Sequence, residues 1–157
     1  MAAKNCRIFA IYQTLNCTME HSKPLKIFIA DDDPDDREFL KFLFRKNEHF
    51  ELGGCFSSSA EVLDEISEKA NIPDILLLDM YMPMMTGTEV LAELLEKSAA
   101  PKLFTFIISG TINEAEKEKF SANPNVKFLL KPTTLEQIND LPGIILENLN
   151  HRNNTKV

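Results

Sequence analysis

No apolar run in this chain approaches the roughly 20 residues that a membrane-spanning helix needs. The stretch Ile8-Phe9-Ala10-Ile11-Tyr12 ends at Gln13, too short for a signal-peptide core, and no small-x-small cleavage site follows it. The three cysteines, Cys6, Cys17 and Cys55, form no C-x-x-C pair and are odd in number. That spacing argues against a disulfide framework or a thiolate metal site, and for reduced thiols in a cytoplasmic setting. Excess positive charge is missing too. The formal charge is −7, and Lys4, Arg7 and Lys23 against Glu20 make residues 1–24 basic, so the remainder is more acidic still. So acidic a body is expected to bind no nucleic acid, since nonspecific binding depends on phosphate neutralisation. Basic protein partners fit it better. Internal repeats and low-complexity tracts are absent, and 157 residues suffice for one domain with a sizeable core.

What the chain does have is alternation. Residues 1–24 carry no sustained period and read as an extension outside the core, with Met19 as an alternative start just ahead of the ordered pattern. From Leu25 onward five short apolar runs alternate with five helical patterns. The run Leu25–Ala30 reads as a strand buried on both faces, and Ile75–Asp79, Lys102–Ile108 and Val126–Leu130 read as further strands; Phe50–Phe56 is weaker, loosened by Gly53-Gly54. Asp33 offers an N-cap with Pro34 at the first helical position, opening a helix over 35–47 with Phe39, Leu40, Leu43 and Phe44 on one face. Ser58-x-x-Glu61 and Thr86-x-x-Glu89 have the form of capping boxes. Their helices are expected to bury Val62, Leu63, Ile66 and Ala70, and Val90, Leu91, Leu94 and Leu95. Residues 112–121 have a thin apolar face of Ile112, Ala115 and Phe120. The last helix starts near Thr134, carries Leu135, Ile138, Ile145 and Leu149 inward, and is expected to kink or break at Pro142-Gly143. A polar tail, 150–157, follows. The pattern predicts an α/β domain over 25–149, a parallel sheet with helices on both faces.

The strand ends carry the chemistry. Asp31-Asp32-Asp33 follows the first strand, Asp79 ends the third, Ser109-Gly110 follows the fourth and Lys131-Pro132 follows the fifth. In a parallel sheet all of these lie at the one edge where ligands bind. Each is weak alone: Asp33, Asp35 and Asp36 serve a helix start, and hydroxyls after strands are common. Asp79 is harder to dismiss, because it closes a run of four large aliphatic residues. Clustered carboxylates about 4 Å apart repel by roughly 4 kcal/mol per pair at an effective dielectric near 20. Lys131 offsets one charge, and Mg²⁺ or Mn²⁺ suits an all-oxygen site of this kind. A metal beside an exposed carboxylate makes it a usable nucleophile toward phosphorus. Asp31 and Asp32 are the natural metal pair, leaving Asp79 as nucleophile, with Lys131 and Ser109 placed to stabilise a phosphoryl transition state.

The stretches Ile29-Ala30-Asp31-Asp32-Asp33-Pro34, Leu78-Asp79-Met80-Tyr81-Met82-Pro83-Met84-Met85-Thr86-Gly87, Ile107-Ile108-Ser109-Gly110 and Leu130-Lys131-Pro132 together resemble the receiver domain of two-component response regulators. The resemblance covers Leu25 to Leu149. It implies a five-stranded, flavodoxin-like sheet of order 2-1-3-4-5. It implies that Asp79 accepts a phosphoryl group from a sensor histidine kinase or a histidine phosphotransfer protein. Asp31, Asp32, Asp79 and the backbone carbonyl of Tyr81 would hold Mg²⁺. Lys131 would pair with the acyl phosphate, across a cis peptide to Pro132. Ser109 and Phe128 would form the switch that reshapes a partner-binding face. The reaction is then self-modification, not catalysis on an external substrate. No membrane association is implied, and the domain is expected to be a monomer or a phosphorylation-dependent homodimer. Only eight residues follow Leu149, so an output domain is not expected and a separate protein partner is. Two readings compete. In a haloacid-dehalogenase-type phosphatase Asp31 would be the nucleophile, but Asp79 would then have no role. In a receiver-like module without phosphate chemistry, Asp79, Lys131 and the acid pair would be needless.

Overall fold

Continuous aliphatic runs flanked by turn residues become the central strands, because only a position buried on both faces tolerates apolar side chains pointing both ways. The computed structural model describes residues 23–97 and 101–153. Residues 1–22 of the extension, Met19 included, and the last residues of the tail lie outside them. Strand β1 is Leu25–Ala30, β2 is Phe50–Phe56, β3 is Ile75–Asp79, β4 is Phe104–Ser109 and β5 is Val126–Leu130. They form one parallel sheet in the order β2-β1-β3-β4-β5. The helices are α1 (Pro34–Arg45), α2 (Ser59–Leu63, continuing as a π-helical turn over Asp64–Glu68), α3 (Gly87–Glu96), α4 (Glu114–Lys119) and α5 (Leu135–Asn153).

The two-residue period of the strands sorts the core into two layers. Ile27, Ile29, Ile75 and Leu77 face one side, where Leu40 and Phe44 of α1 and Leu141 and Ile145 of α5 cover them. Phe28, Leu76 and Leu78 face the other, against Val62 and Ile66 of the α2 region and Val90 and Leu94 of α3. The order reverses between β1 and β3, and the crevice this opens at the strand C-termini is where the acidic residues stand. On the outer edge the β1–β2 register slips between Ile27 and Phe28, which pair with Leu52 and Gly54; Gly53 is the extra residue of a bulge.

Several expectations are corrected. The second helix does not stay α-helical: the Lys69 amide donates to the Asp64 carbonyl five residues back, widening the last turn into a π-turn, and Asn71 closes it by bonding back to Glu65 through both its backbone and its side chain. Ala70 therefore leaves the helix at φ 53° and is exposed. Glu61 reaches the Ser57 amide instead of Ser58, so only half of that capping box forms. Leu95 is 42% exposed because α3 ends one residue later. Leu135 is 73% exposed because it is the first residue of α5, ahead of the turns that meet the sheet. The helix α5 does not break at Pro142. Leu141 and Ile145 are buried on either side of the proline and hold it in register, at the expense of one backbone hydrogen bond. The short α4 buries none of its residues, in keeping with its thin apolar face.

The box at Thr86 is complete: its hydroxyl accepts the Glu89 amide at 3.3 Å, and Glu89 Oε2 accepts the Thr86 amide at 2.7 Å. Thr86→Ala is expected to cost about 1 kcal/mol in urea unfolding. A loss within error would mean that Glu89 alone caps α3.

Candidate functional site

Each strand terminus delivers its polar residue where the helix that follows has not yet covered it. Asp31 stands directly after β1 and is 1% exposed; Asp79, the last residue of β3, is 7% exposed. Asp32, on the same turn, is exposed. One oxygen from each of these three carboxylates lies within 4.8 Å of the others. The turn is held rigidly. Asp31 Oδ1 accepts the Asp33 amide at 2.9 Å, and Asp33 Oδ1 caps α1 by accepting the amides of Asp35 and Asp36. Arg37 Nη1 donates to the carbonyls of both Asp31 and Asp32, at 2.7 and 2.8 Å.

Lys131 enters from the end of β5. Its ammonium lies 2.9 Å from Asp31 Oδ2, 2.6 Å from Asp36 Oδ2 and 3.8 Å from Asp79 Oδ1. The contact with Asp31 is an ion pair without hydrogen-bond alignment, so the buried Asp31 Oδ2 keeps an unused lone pair. The Lys131–Pro132 peptide is trans, as are all peptides among the described residues. The cis form is therefore corrected: trans is the lower-energy isomer by about 0.5–1 kcal/mol before proline, and Lys131 reaches the carboxylates from it.

The electrostatics follow from this crowding. Burial, reinforced by the charges of Asp31 and Asp32 and opposed by Lys131, pushes the Asp79 carboxyl up to about 6. Burial likewise raises Asp31, against the opposing hold of Lys131. Burial alone would lower Lys131, but its contacts with Asp36 and Asp31 outweigh it and keep the ammonium charged well above the usual lysine range. Two buried carboxyls raised together, one with an unfilled lone pair, form a donor set that lacks positive charge. A hard divalent cation among Asp31, Asp32 and Asp79 fits that deficit, and oxygen-only ligands select Mg²⁺ or Mn²⁺ over softer metals.

Ser109 ends β4 and is 2% exposed. Its hydroxyl donates to the Thr111 carbonyl at 2.5 Å and accepts the Thr111 amide at 3.3 Å, so it is engaged by its own loop. Phe128 on β5 is half-buried against Met80, Leu91, Ile107 and Val126, its ring 6.4 Å from that of Phe120. Tyr81 is 55% exposed at the mouth of the crevice. The sheet thus brings Asp31, Asp32, Asp79 and Lys131 into one cluster, with Ser109 on the neighbouring strand end. Sequence reasoning missed Asp36 as a partner of Lys131 and Arg37 as the clasp of the acidic turn. For Arg37 a signal existed, since a cation one helical turn beyond an acidic loop can fold back onto its carbonyls.

A family model described as "Response regulator receiver domain" matches residues 27–141. Among curated proteins, the transcriptional regulatory protein YdfI of Bacillus subtilis (strain 168) is 32% identical over 114 residues, covering 72% of this chain and 51% of that protein. Protein-glutamate methylesterase/protein-glutamine glutaminase 5 of Myxococcus xanthus (strain DK1622) is 29% identical over 122 residues, 76% of this chain and 34% of that one. The chain thus spans about a third to a half of the length of these relatives. A LuxR-family DNA-binding response regulator from Staphylococcus aureus superposes with TM-score 0.65 at 27% identity, over 79% of this chain and 98% of the other. A CheY-like receiver domain protein from Methanospirillum hungatei JF-1 shares the fold with TM-score 0.67 at 23% identity, over 85% and 99%.

Proposed function

The chain belongs to the response regulator receiver domain family, and from that premise we propose that it is a phosphorylation switch whose acceptor is Asp79. The observation that supports this reading most is the acidic cluster itself: three carboxylate oxygens within 4.8 Å, one of them on Asp79, with the Lys131 ammonium 3.8 Å from that residue.

The donor is a phosphohistidine on a kinase or phosphotransfer protein, or a small acyl phosphate. An ionised Asp79 oxygen attacks phosphorus, the bond from phosphorus to the donor breaks, and the donor leaves with that electron pair and takes up a proton. The product is a mixed anhydride on Asp79. Asp31, Asp32 and Asp79, with the Tyr81 carbonyl, would hold Mg²⁺, which would supply charge neutralisation for the phosphoryl group. Lys131 contributes its ammonium to a second oxygen. Ser109 exchanges its bond to the Thr111 carbonyl for one to the phosphoryl group, and the β4–α4 loop follows it. Phe128 is half-buried, so its ring can move inward as that loop closes. The face of α4, β5 and α5 then changes, helped by an α4 that no buried side chain anchors. A protein partner reads that face.

Incubation with acetyl phosphate and Mg²⁺, followed by mass spectrometry of borohydride-trapped peptides, tests the reading. Label on Asp79 supports it; label on Asp31 supports the phosphatase chemistry instead, and none supports a module without phosphate chemistry. Tyr81, exposed at the crevice mouth, is placed to screen the anhydride from water. Tyr81→Asn is expected to shorten the lifetime of the phosphorylated state several-fold, and an unchanged half-life rejects the screen.

A further inference from the structure

The Lys131 ammonium has three protons to donate, and its contacts are uneven. Asp36 is the closest carboxylate at 2.6 Å, Asp31 follows at 2.9 Å, and Asp79 at 3.8 Å is beyond hydrogen-bond reach. Asp36 comes from the first turn of α1 and, with Lys131, lines a cavity that Asp79 does not line. Asp36 is also outside the acidic cluster of Asp31, Asp32 and Asp79. A cation that neutralises that cluster draws on Asp31 and Asp79 but leaves the charge of Asp36 on Lys131 intact. The lysine has room to move, because a cavity of about 290 Å³ opens beside it between α1 and the start of α5, lined by Asp36, Phe39, Ile108, Pro132 and Leu135.

We propose that Asp36 is a positioning residue that tethers the Lys131 ammonium on the α1 side, away from Asp79, and so limits how tightly the site holds a phosphoryl group. The inference rests on Asp79 being the phosphoryl acceptor. To meet a phosphoryl oxygen the ammonium must give up its contact with Asp36, and the resting domain is biased against that move. The bland alternative is that Asp36 only places negative charge at the start of α1, where it complements the helix dipole. That role needs no contact with Lys131 and does not depend on Lys131 being present.

The test is titration of the full chain with beryllofluoride, a mimic of the phosphoryl group, at saturating Mg²⁺. Asp36→Asn removes the charge at constant shape and is expected to bind the mimic roughly three- to fivefold more tightly, the scale of a half-exposed ion pair. Asp36→Glu should return affinity toward that of the parent. In a Lys131→Met background, read at higher beryllofluoride, Asp36→Asn should give no gain. Unchanged or weaker binding in D36N overturns the tether, and so does a gain that persists without Lys131, which would make Asp36 a plain repulsive charge. Failure of the parent protein itself to bind the mimic would instead overturn the phosphoryl-acceptor reading.

Discussion

Asp79→Asn is expected to stabilise the metal-free protein at neutral pH while abolishing its labelling by acetyl phosphate. The carboxyl is pushed up to about 6 from a reference of 3.8, by burial first and by Asp31 and Asp32 second. A folded-state value above the unfolded one means that folding favours the neutral form. The stability this contributes is fully present below about pH 4 and is lost as pH rises through about 6. At neutral pH the ionised form therefore costs roughly 2–3 kcal/mol, and asparagine, neutral at every pH, removes most of that cost. Urea unfolding in EDTA at pH 7.5 should show the gain, and it should shrink at pH 4.5. Asp31 is raised by burial as well, so some of the same pH slope survives in the variant. Mg²⁺ should stabilise the parent at pH 7.5, by about 2.7 kcal/mol at one hundred times its dissociation constant, and should stabilise D79N far less. A variant as stable as the parent in EDTA would show that Lys131 already neutralises the site.

This conflict between stability and ionisation was partly legible in the sequence. A strand buried on both faces has no reason to end in a carboxylate, and Asp79 closes four aliphatic residues that are each at most 1% exposed. The central strands β1, β3 and β4 were readable because double-sided burial forces continuous apolar runs, and four of the five strands end on the residue that carries the chemistry or on the one before it. Helix interiors were harder. The expectation of a break at Pro142 weighed a local cost of about 3 kcal/mol without the opposing burial of Leu141 and Ile145, which depends on a sheet assembled elsewhere in the chain. Leu95, Leu135 and Ala70 kept the right period but fell at helix ends, where period no longer dictates burial. Asp36 could not be assigned to Lys131 from spacing, since they lie 95 positions apart and only the packing of α1 and α5 on one face of the sheet brings Asp36 beside the end of β5. The orientation of the Ser109 hydroxyl toward Thr111 is likewise a matter of loop geometry that residue types do not specify.

Gly87→Ala should damage both the fold and the site, although it adds one methyl group. A Cβ at Gly87 would lie 2.6 Å from the Asp79 carbonyl oxygen and 3.2 Å from Met80 Cα. Both are backbone atoms, so no side-chain rotation relieves the clash. The glycine is not needed for its dihedral freedom, since no glycine among the described residues has positive φ. It is needed because α3 starts against the end of β3, where the Gly87 amide donates to the Met80 carbonyl at 2.8 Å. An added methyl must push the helix away from the strand, at a cost of about 1–3 kcal/mol for overpacking. The displaced atoms belong to Asp79 and Met80, so the carboxylate moves with them. A misplacement of about 1 Å can cost on the order of 100-fold in rate, and labelling by acetyl phosphate should fall by at least about tenfold on that scale. Gly143→Ala is the control. It lies inside α5 with nothing within 4 Å of its added Cβ, and a helix-interior alanine is favoured by about 0.5–1 kcal/mol. The two variants make the same chemical change, so opposite signs in urea unfolding would trace the effect to the helix–strand contact. If G87A is labelled at the parent's rate despite lower stability, the position of α3 does not govern the aim of Asp79.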